Sequence, residues 1–134
     1  MKKIFSVFLV LFSLAIPVFS QNFYRNISVR QADRLITKHE GDANFALLDV
    51  RSPGEFEKGY IRGAANINFW GGGFADSVSV LDKKKTYLVY CASGVRSSGA
   101  MKKMRSLGFE KIYNMKGGMF AWRAARMPVE KSDE

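Results

Sequence analysis

The chain has 134 residues, of which 21 are Lys or Arg and 12 are Asp or Glu, so its net charge is +9. Its residues are 47% hydrophobic and 13% aromatic, which is enough for the core of one domain and excludes a disordered tail, a collagen and a low-complexity linker. One Cys and one His exclude an internal disulfide and a structural zinc site.

The first twenty residues have the pattern of a bacterial export signal. Lys2 and Lys3 precede an apolar stretch of about 15 residues, 4–18, which is short for a membrane-spanning helix but typical of a signal peptide. We predict cleavage after Ser20, which leaves residues 21–134 as a single domain in the periplasm or outside the cell. In this interpretation the protein meets the membrane only through its export signal. An uncleaved N-terminal anchor is the alternative.

The first element predicted after the export signal is a helix over residues 29–38. Ser28 and Gln31 have the spacing of a capping box, and the apolar residues that follow recur at helical intervals. Gly41 and Asp42 follow the last of these apolar residues and predict the end of the helix.

The rest of the chain alternates between predicted strands and helices, without repeats or a linker. Continuous apolar runs predict buried parallel strands, and clusters of Ser, Pro and Gly predict turns. In chain order we predict a strand over 45–50, a turn at 52–54, a strand over 64–69, a glycine-rich loop at 70–73, a helix over 74–81, a strand over 86–90, a helix that stops at Gly108, and a last helix entered through Gly117 and Gly118. This order indicates an α/β domain.

The basic residues do not form a nucleic-acid-binding motif. Lys83, Lys84 and Lys85 are the one evident run, and their place just before a predicted strand indicates a solvated turn. We therefore expect no nucleic-acid partner. Two explanations of the net positive charge are left open, an anionic ligand and an anionic surface.

Cys91 lies between the strand predicted at residues 86–90 and the helix after it. The first N–H groups of a helix lack internal partners and attract anions, and Arg96 adds a positive charge nearby. Both would lower the pKa of Cys91, so we predict a nucleophilic thiolate near neutral pH. One alternative is a small buried hydrophobic residue. Another is a Cys–His pair with His39, although a histidine at the end of a charged helix more simply caps it or faces solvent.

Four motifs in the chain occur together in a characteristic order and spacing. In this order they resemble the motifs of the rhodanese-like domains, and the resemblance covers nearly all of residues 21–134. The first motif is Leu48-Asp49-Val50-Arg51 with Glu55-Phe56, Gly59-Tyr60-Ile61-Arg62-Gly63-Ala64 and Asn66-Ile67; the second is Cys91 to Ser97; the third is Ala100, Gly108 and Phe109; and the fourth is Gly117-Gly118, Ala121-Trp122 and Pro128-Val129.

The resemblance implies an α/β fold with a central parallel sheet of about five strands, helices on both faces and the Cys loop at the carboxyl ends of the strands. It also implies a sulfurtransferase without metal or organic cofactor, for which we expect a monomer. Cys91 would be the catalytic nucleophile: it would take a sulfane sulfur from thiosulfate or a similar anionic donor, form a persulfide, and pass the sulfur to cyanide or a thiol in ping-pong fashion. The residues implied to bind substrate are Ala92, Ser93, Gly94, Val95, Arg96 and Ser97.

The length of the Cys loop distinguishes this interpretation from its nearest enzymatic alternative. Arsenate reductases and phosphatases of the same fold carry one more residue in the loop, whereas the loop from Cys91 to Arg96 has the length of the sulfurtransferase type. Such oxyanion enzymes stay an alternative, as does a non-catalytic rhodanese module that binds a partner. Because the chain has no second Cys, a persulfide on Cys91 would need an external thiol, cyanide or sulfite to discharge it.

Two positions depart from the family pattern, with Tyr60 in place of the usual His and Arg62 in place of a common Pro. We expect Tyr60 to affect local packing more than activity. Asp49 and Arg51 end a strand predicted next to the Cys strand, where a buried ion pair or a helix cap is the preferred interpretation. Trp70 and the glycines after it either cover the site or form an exposed flexible loop.

Overall fold

The structure, a computed structural model, describes residues 2–4, 14–17 and 21–132. Most of the predicted export signal, including Ser20 and the cleavage point, lies outside the described residues. Within the described ranges, no helix has the length and apolar character needed to cross a bilayer.

The centre of the domain is a sheet of five strands, all parallel to their neighbours. Its spatial order is β1-β5-β4-β2-β3, so the strand that precedes Cys91, β4, lies in the middle. Central parallel strands are buried on both faces, which explains the continuous apolar sequence of β4. The strands are β1 (Phe23–Ile27), β2 (Phe45–Asp49), β3 (Ala64–Asn66), β4 (Thr86–Tyr90) and β5 (Lys111–Met115).

Helices cover both faces of the sheet and divide the core into two layers. One layer contains apolar side chains of the first and last helices, the other those of the third and fourth. This arrangement confirms the α/β fold with a five-stranded parallel sheet. The helices are α1 (Val29–Lys38), α2 (Pro53–Glu57), α3 (Phe74–Ser79), α4 (Val95–Ser106) and α5 (Gly118–Ala124).

The boundaries of α1 agree with the sequence prediction because its start is encoded locally. The Ser28 hydroxyl accepts a hydrogen bond from the Gln31 N–H over 3.2 Å, and the Gln31 side chain accepts one from the Ser28 N–H over 2.8 Å. These reciprocal bonds satisfy two donors that the first turn would otherwise leave free. His39 forms the other end, as the C-cap.

Four of the predicted boundaries were wrong, and the smallest error is in the strand predicted over 45–50, which ends at Asp49. The strand predicted over 64–69 ends at Asn66. The side-chain amide of Asn66 donates hydrogen bonds to the backbone carbonyl oxygens of Asp49 (3.1 Å) and Arg51 (2.8 Å), at the end of β2. The turn predicted at 52–54 is instead the start of α2, because Ser52 caps it and Pro53 has the fixed backbone angle suited to a first turn. The helix predicted over 74–81 already ends at Ser79.

Candidate active site

Cys91 follows the last residue of β4 and is completely buried, with 0% of its surface exposed. The chain then curls through three residues and enters α4, whose N-cap is Gly94. Gly94 has φ +97°, and a Cβ there would lie 3.1 Å from the backbone nitrogen of Gly117. The left-handed conformation strongly favours glycine here, and the tight approach of the two loops favours it further.

Hydrogen-bond donors converge on the sulfur of Cys91. The Gly94 N–H lies 3.0 Å from Sγ and the Ser97 hydroxyl 3.4 Å from it. Burial alone would raise the pKa of Cys91, but the Ser97 hydroxyl and the backbone N–H groups of Ser97, Gly94 and Ser93 lower it below its usual value of 9.0. The direction of the shift is the one that the sequence predicts.

The last helix, α5, fixes the orientation of the loop around the sulfur. The Met119 N–H donates to the Cys91 carbonyl oxygen over 2.8 Å, and the Phe120 N–H donates to the Ala92 carbonyl oxygen over 3.0 Å. Both loop carbonyls therefore face the start of α5. Because the N–H of a trans peptide points away from its carbonyl, the N–H of Ser93 is directed to the opposite side, where it contributes to the lowered pKa of Cys91.

Arg96 is paired with a carboxylate that the sequence interpretation did not assign to the site. Its two terminal nitrogens donate to the two carboxylate oxygens of Glu55, each over 2.8 Å. Glu55 also accepts from the backbone N–H of Ser52 (3.0 Å) and from its hydroxyl (2.8 Å). The hydrogen bonds from Arg96 are the main cause that lowers the pKa of Glu55 from 4.5 to about 2, against a smaller opposing effect of burial.

Trp70 covers the guanidinium of Arg96. The guanidinium carbon lies 4.4 Å from the centre of the indole ring, in a cation–π contact. The Trp70 residue is itself 71% exposed. Of the two interpretations that the sequence left open, the structure therefore favours a covering role for Trp70 over an unattached loop.

The six predicted substrate-binding residues have different surroundings. Ser93, Gly94 and Ser97 surround the sulfur, the Ala92 carbonyl is bound to α5, and Val95 is 76% exposed. Arg96, whose charge the sequence predicts to favour the thiolate, forms its hydrogen bonds with Glu55. The capping-box spacing of Glu55 after Ser52, the same spacing as Ser28 and Gln31, could have identified Glu55 as a cap of α2 but not as the partner of Arg96.

Comparison with known proteins decides the family. The family model described as "Rhodanese-like domain" matches residues 29–125. The chain belongs to the rhodanese-like family. This domain is 35% identical over 116 residues to rhodanese-like domain-containing protein 17 of Arabidopsis thaliana, with 78% of this chain and 71% of that protein covered.

Two further relatives of this rhodanese-like domain come from microorganisms. The thiosulfate sulfurtransferase GlpE of Pseudoalteromonas translucida is 28% identical over 102 residues, which cover 76% of this chain and 91% of that protein. The crystal structure of a rhodanese-related protein from Thermoplasma volcanium superposes with a TM-score of 0.67 at 28% identity, with 81% of this chain and 100% of that chain covered.

Asp49 and Arg51 form a buried ion pair beside the site of this rhodanese-like domain, as preferred from the sequence. The Arg51 guanidinium donates to both carboxylate oxygens of Asp49 at 2.6–3.0 Å and to the Gly59 carbonyl oxygen over 2.6 Å. The pair therefore ties the end of β2 to the segment that carries Tyr60. The Tyr60 ring stacks on Phe56 with 4.2 Å between ring centres.

His39 lies at the opposite end of the rhodanese-like domain from Cys91. It caps the end of α1 and stacks on Phe45, the first residue of β2, whereas Cys91 follows the last residue of β4. Its Nδ1 is 2.7 Å from a carboxylate oxygen of Asp42. Since β2 and β4 are parallel, a Cys–His pair is excluded, and His39 lies at the C-cap of α1, the end-of-helix position that the sequence predicts for it.

Proposed function

We propose that the protein is a sulfurtransferase that carries sulfur as a persulfide on Cys91. The observation that carries this proposal is the convergence of uncharged hydrogen-bond donors on the buried Sγ. The thiolate attacks the outer sulfur of thiosulfate, a new S–S bond forms, and the old S–S bond breaks with its electron pair leaving on sulfite. The loop donors that stabilise the thiolate also suit the anionic outer sulfur of the persulfide.

The second half of the reaction returns the site to its starting state. Cyanide or a thiolate attacks the outer sulfur, and the Cys91 thiolate leaves with the electron pair of the broken S–S bond. Cyanide becomes thiocyanate, and a thiol acceptor becomes a persulfide. The acceptor must come from outside, since Cys91 is the one Cys of the chain. No metal or organic cofactor is required by either step.

Two other activities are the alternatives to sulfur transfer. A phosphatase-like or arsenate-reducing enzyme would use the same thiolate on a tetrahedral oxyanion, and a binding module would not use it chemically. The loop from Cys91 to Arg96 favours sulfur transfer through its length, as argued from the sequence. The name of the GlpE relative, a thiosulfate sulfurtransferase, supports the same choice.

Intact mass spectrometry of the reduced protein tests the proposal. Incubation with thiosulfate is expected to add one sulfur (~32 Da), and cyanide is expected to remove it as thiocyanate. Cys91→Ser is the control and should gain no sulfur. A protein that gains no sulfur from thiosulfate or from any other sulfane donor would contradict the proposal, and hydrolysis of an aryl phosphate that depends on Cys91 would favour the phosphatase-like alternative.

We also propose that residues 1–20 direct the protein out of the cytoplasm. The support is the apolar stretch 4–18 behind two lysines. Expression of the full chain in a bacterium, followed by fractionation and N-terminal sequencing, tests this proposal. A periplasmic or secreted form that begins at Gln21 is expected. An unprocessed cytosolic protein would refute export, and an unprocessed membrane-bound form would identify the segment as an anchor.

A further inference from the structure

We propose that Glu55 sets the donor preference of the Cys91 site, because its carboxylate disfavours dianionic donors such as thiosulfate relative to monoanionic carriers of sulfane sulfur. This inference rests on the proposed sulfur transfer and deepens it by naming the class of donor. The residues that carry it are Glu55, Arg96 and Trp70, whose side chains meet beside the Cys91 loop.

The Cys91 site holds negative charge mainly through uncharged groups. The main contributions that lower the pKa of Cys91 are the Ser97 hydroxyl and backbone N–H groups of the loop. Arg96 lies in the first turn of α4, five residues after Cys91; its pKa is raised by the hydrogen bond to Glu55 above all, and further by the charge of Cys91. Arg96 is therefore the cation that an anionic donor would meet next to the loop.

Glu55 neutralises this cation. Both terminal nitrogens of Arg96 are bonded to the carboxylate, and the pKa of Glu55, about 2, keeps it charged at any pH where the thiolate is present. The pair has no net charge, and Trp70 holds one face of the guanidinium. The Arg96 side chain is 11% exposed, whereas that of Glu55 is 36% exposed, so the carboxylate is the more accessible member of the pair.

An incoming anion must then displace the Glu55 carboxylate from Arg96 or approach while that carboxylate is still bound to Arg96. Coulomb repulsion from one carboxylate is twice as large for a dianion as for a monoanion at the same distance. Thiosulfate has two negative charges. A thiosulfonate, R–SO2–S⁻, has one, and it transfers the same type of sulfur: the Cys91 thiolate forms the new S–S bond and the sulfinate R–SO2⁻ leaves with the electron pair.

Glu55→Gln removes the charge and can keep the local structure. Gln is a capping-box residue, and Gln31 already fills that role for α1 in this chain. Glu57→Gln is a matched control, because it removes one carboxylate from the same helix and because Glu57 is exposed and makes no ion pair within the part of the chain that the structure describes.

The experiment measures kcat/KM at low ionic strength for thiosulfate and for methanethiosulfonate, with the unmodified protein and both variants. Glu55→Gln is expected to raise the thiosulfate-to-methanethiosulfonate ratio of kcat/KM about fivefold, and salt should reduce this change. Glu57→Gln should leave the ratio within about twofold, since an exposed charge without a contact is screened.

Three results would overturn the proposal. An unchanged ratio in Glu55→Gln, with both values of kcat/KM as in the unmodified protein, would show that its charge does not select donors. An equal fall for both donors would show that Glu55 only positions Arg96. If the unmodified protein forms no persulfide with either donor, the donor preference is refuted, and sulfur transfer is refuted with it when no other sulfane donor loads Cys91. Circular dichroism and thermal melting of each variant establish that a changed ratio is not a loss of fold.

Discussion

Gly118 packs against the carbonyl oxygen of Cys91 so closely that a side chain at position 118 has no room. A Cβ there would also lie 2.6 Å from the Ala92 carbonyl oxygen, and the residue has φ +53°. This close packing allows the Met119 N–H to donate a hydrogen bond of 2.8 Å to the Cys91 carbonyl oxygen. The shape of the Cys91 loop therefore depends on a glycine from a different part of the chain.

Gly118→Ala is expected to destabilise the protein by about 2 kcal/mol or more, because it combines a forced contact with a strained backbone, and to reduce sulfur transfer strongly. Urea unfolding and a thiocyanate assay measure the two effects. Gly54→Ala is the matched control, since a Cβ at position 54 would have open space around it and Ala is the better helix former. Equal unfolding midpoints for the two variants would contradict this interpretation.

Ser97→Ala is expected to raise the pKa of Cys91, because the Ser97 hydroxyl is the largest of the contributions that lower it. At pH 7 the variant should therefore contain less thiolate and react more slowly with iodoacetamide. The pH dependence of the alkylation rate measures the shift. Ser98→Ala is the control, as the Ser98 side chain has no hydrogen bond among the described residues. A Ser97→Ala profile that overlays that of the unmodified protein would show that the hydroxyl has no such effect.

The Glu55–Arg96 pair predicts an acid-dependent loss of stability. The pKa of Glu55 is lowered from 4.5 to about 2 in the folded protein, so its carboxylate stabilises the fold above pH 4.5, and this contribution is lost as the pH falls from 4.5 towards 2. Glu55→Gln should thus lower the free energy of unfolding at pH 7, and the difference should shrink below pH 4.5. Denaturant unfolding at a series of pH values tests this, and a difference that grows on acidification has the wrong sign.

Asp49→Asn is expected to destabilise the fold by about 3–5 kcal/mol, because it leaves the buried guanidinium of Arg51 without its anion. The exposed pair of Arg62 and Glu130, at 3.0 Å, offers the comparison, and Glu130→Gln should cost less than about 1 kcal/mol. Equilibrium unfolding in urea measures both. Similar losses in the two variants would mean that burial of the Asp49–Arg51 pair does not matter.

The sequence predicted those helices and strands whose own residues contain a recognisable local pattern. The α1 helix follows from the Ser28–Gln31 capping box, and β4 follows from its continuous apolar run. By contrast, β1 and β5 were not identified, because polar residues interrupt them. Asn26 and Asn114 are aligned with each other across these two strands and share a hydrogen bond of 2.9 Å. Their strand conformation comes from this pairing rather than from either segment alone.

The sequence likewise predicts some features of the site and misses others. The Cys91 loop, Gly94 and Ser97 lie within seven consecutive residues, so the sequence could indicate a lowered pKa. The partner of Arg96 could not be found in this way, because Glu55 is 41 residues away and no periodicity links the two. The sequence therefore assigned the charge of Arg96 to the thiolate, whereas the folded protein gives it to a carboxylate.

The strands nearest the two ends of the sequence, β1 and β5, lie side by side in the sheet. The N-terminal part of a chain emerges first from a ribosome or a translocation channel. The β1 strand therefore cannot complete its pairing with β5 until residue 115 has emerged. The residues of α5 that orient the Cys91 loop appear later still. The contacts that orient the Cys91 loop therefore form only after residue 120 has emerged, and a chain exported unfolded would complete its Cys91 site only in the compartment where it folds.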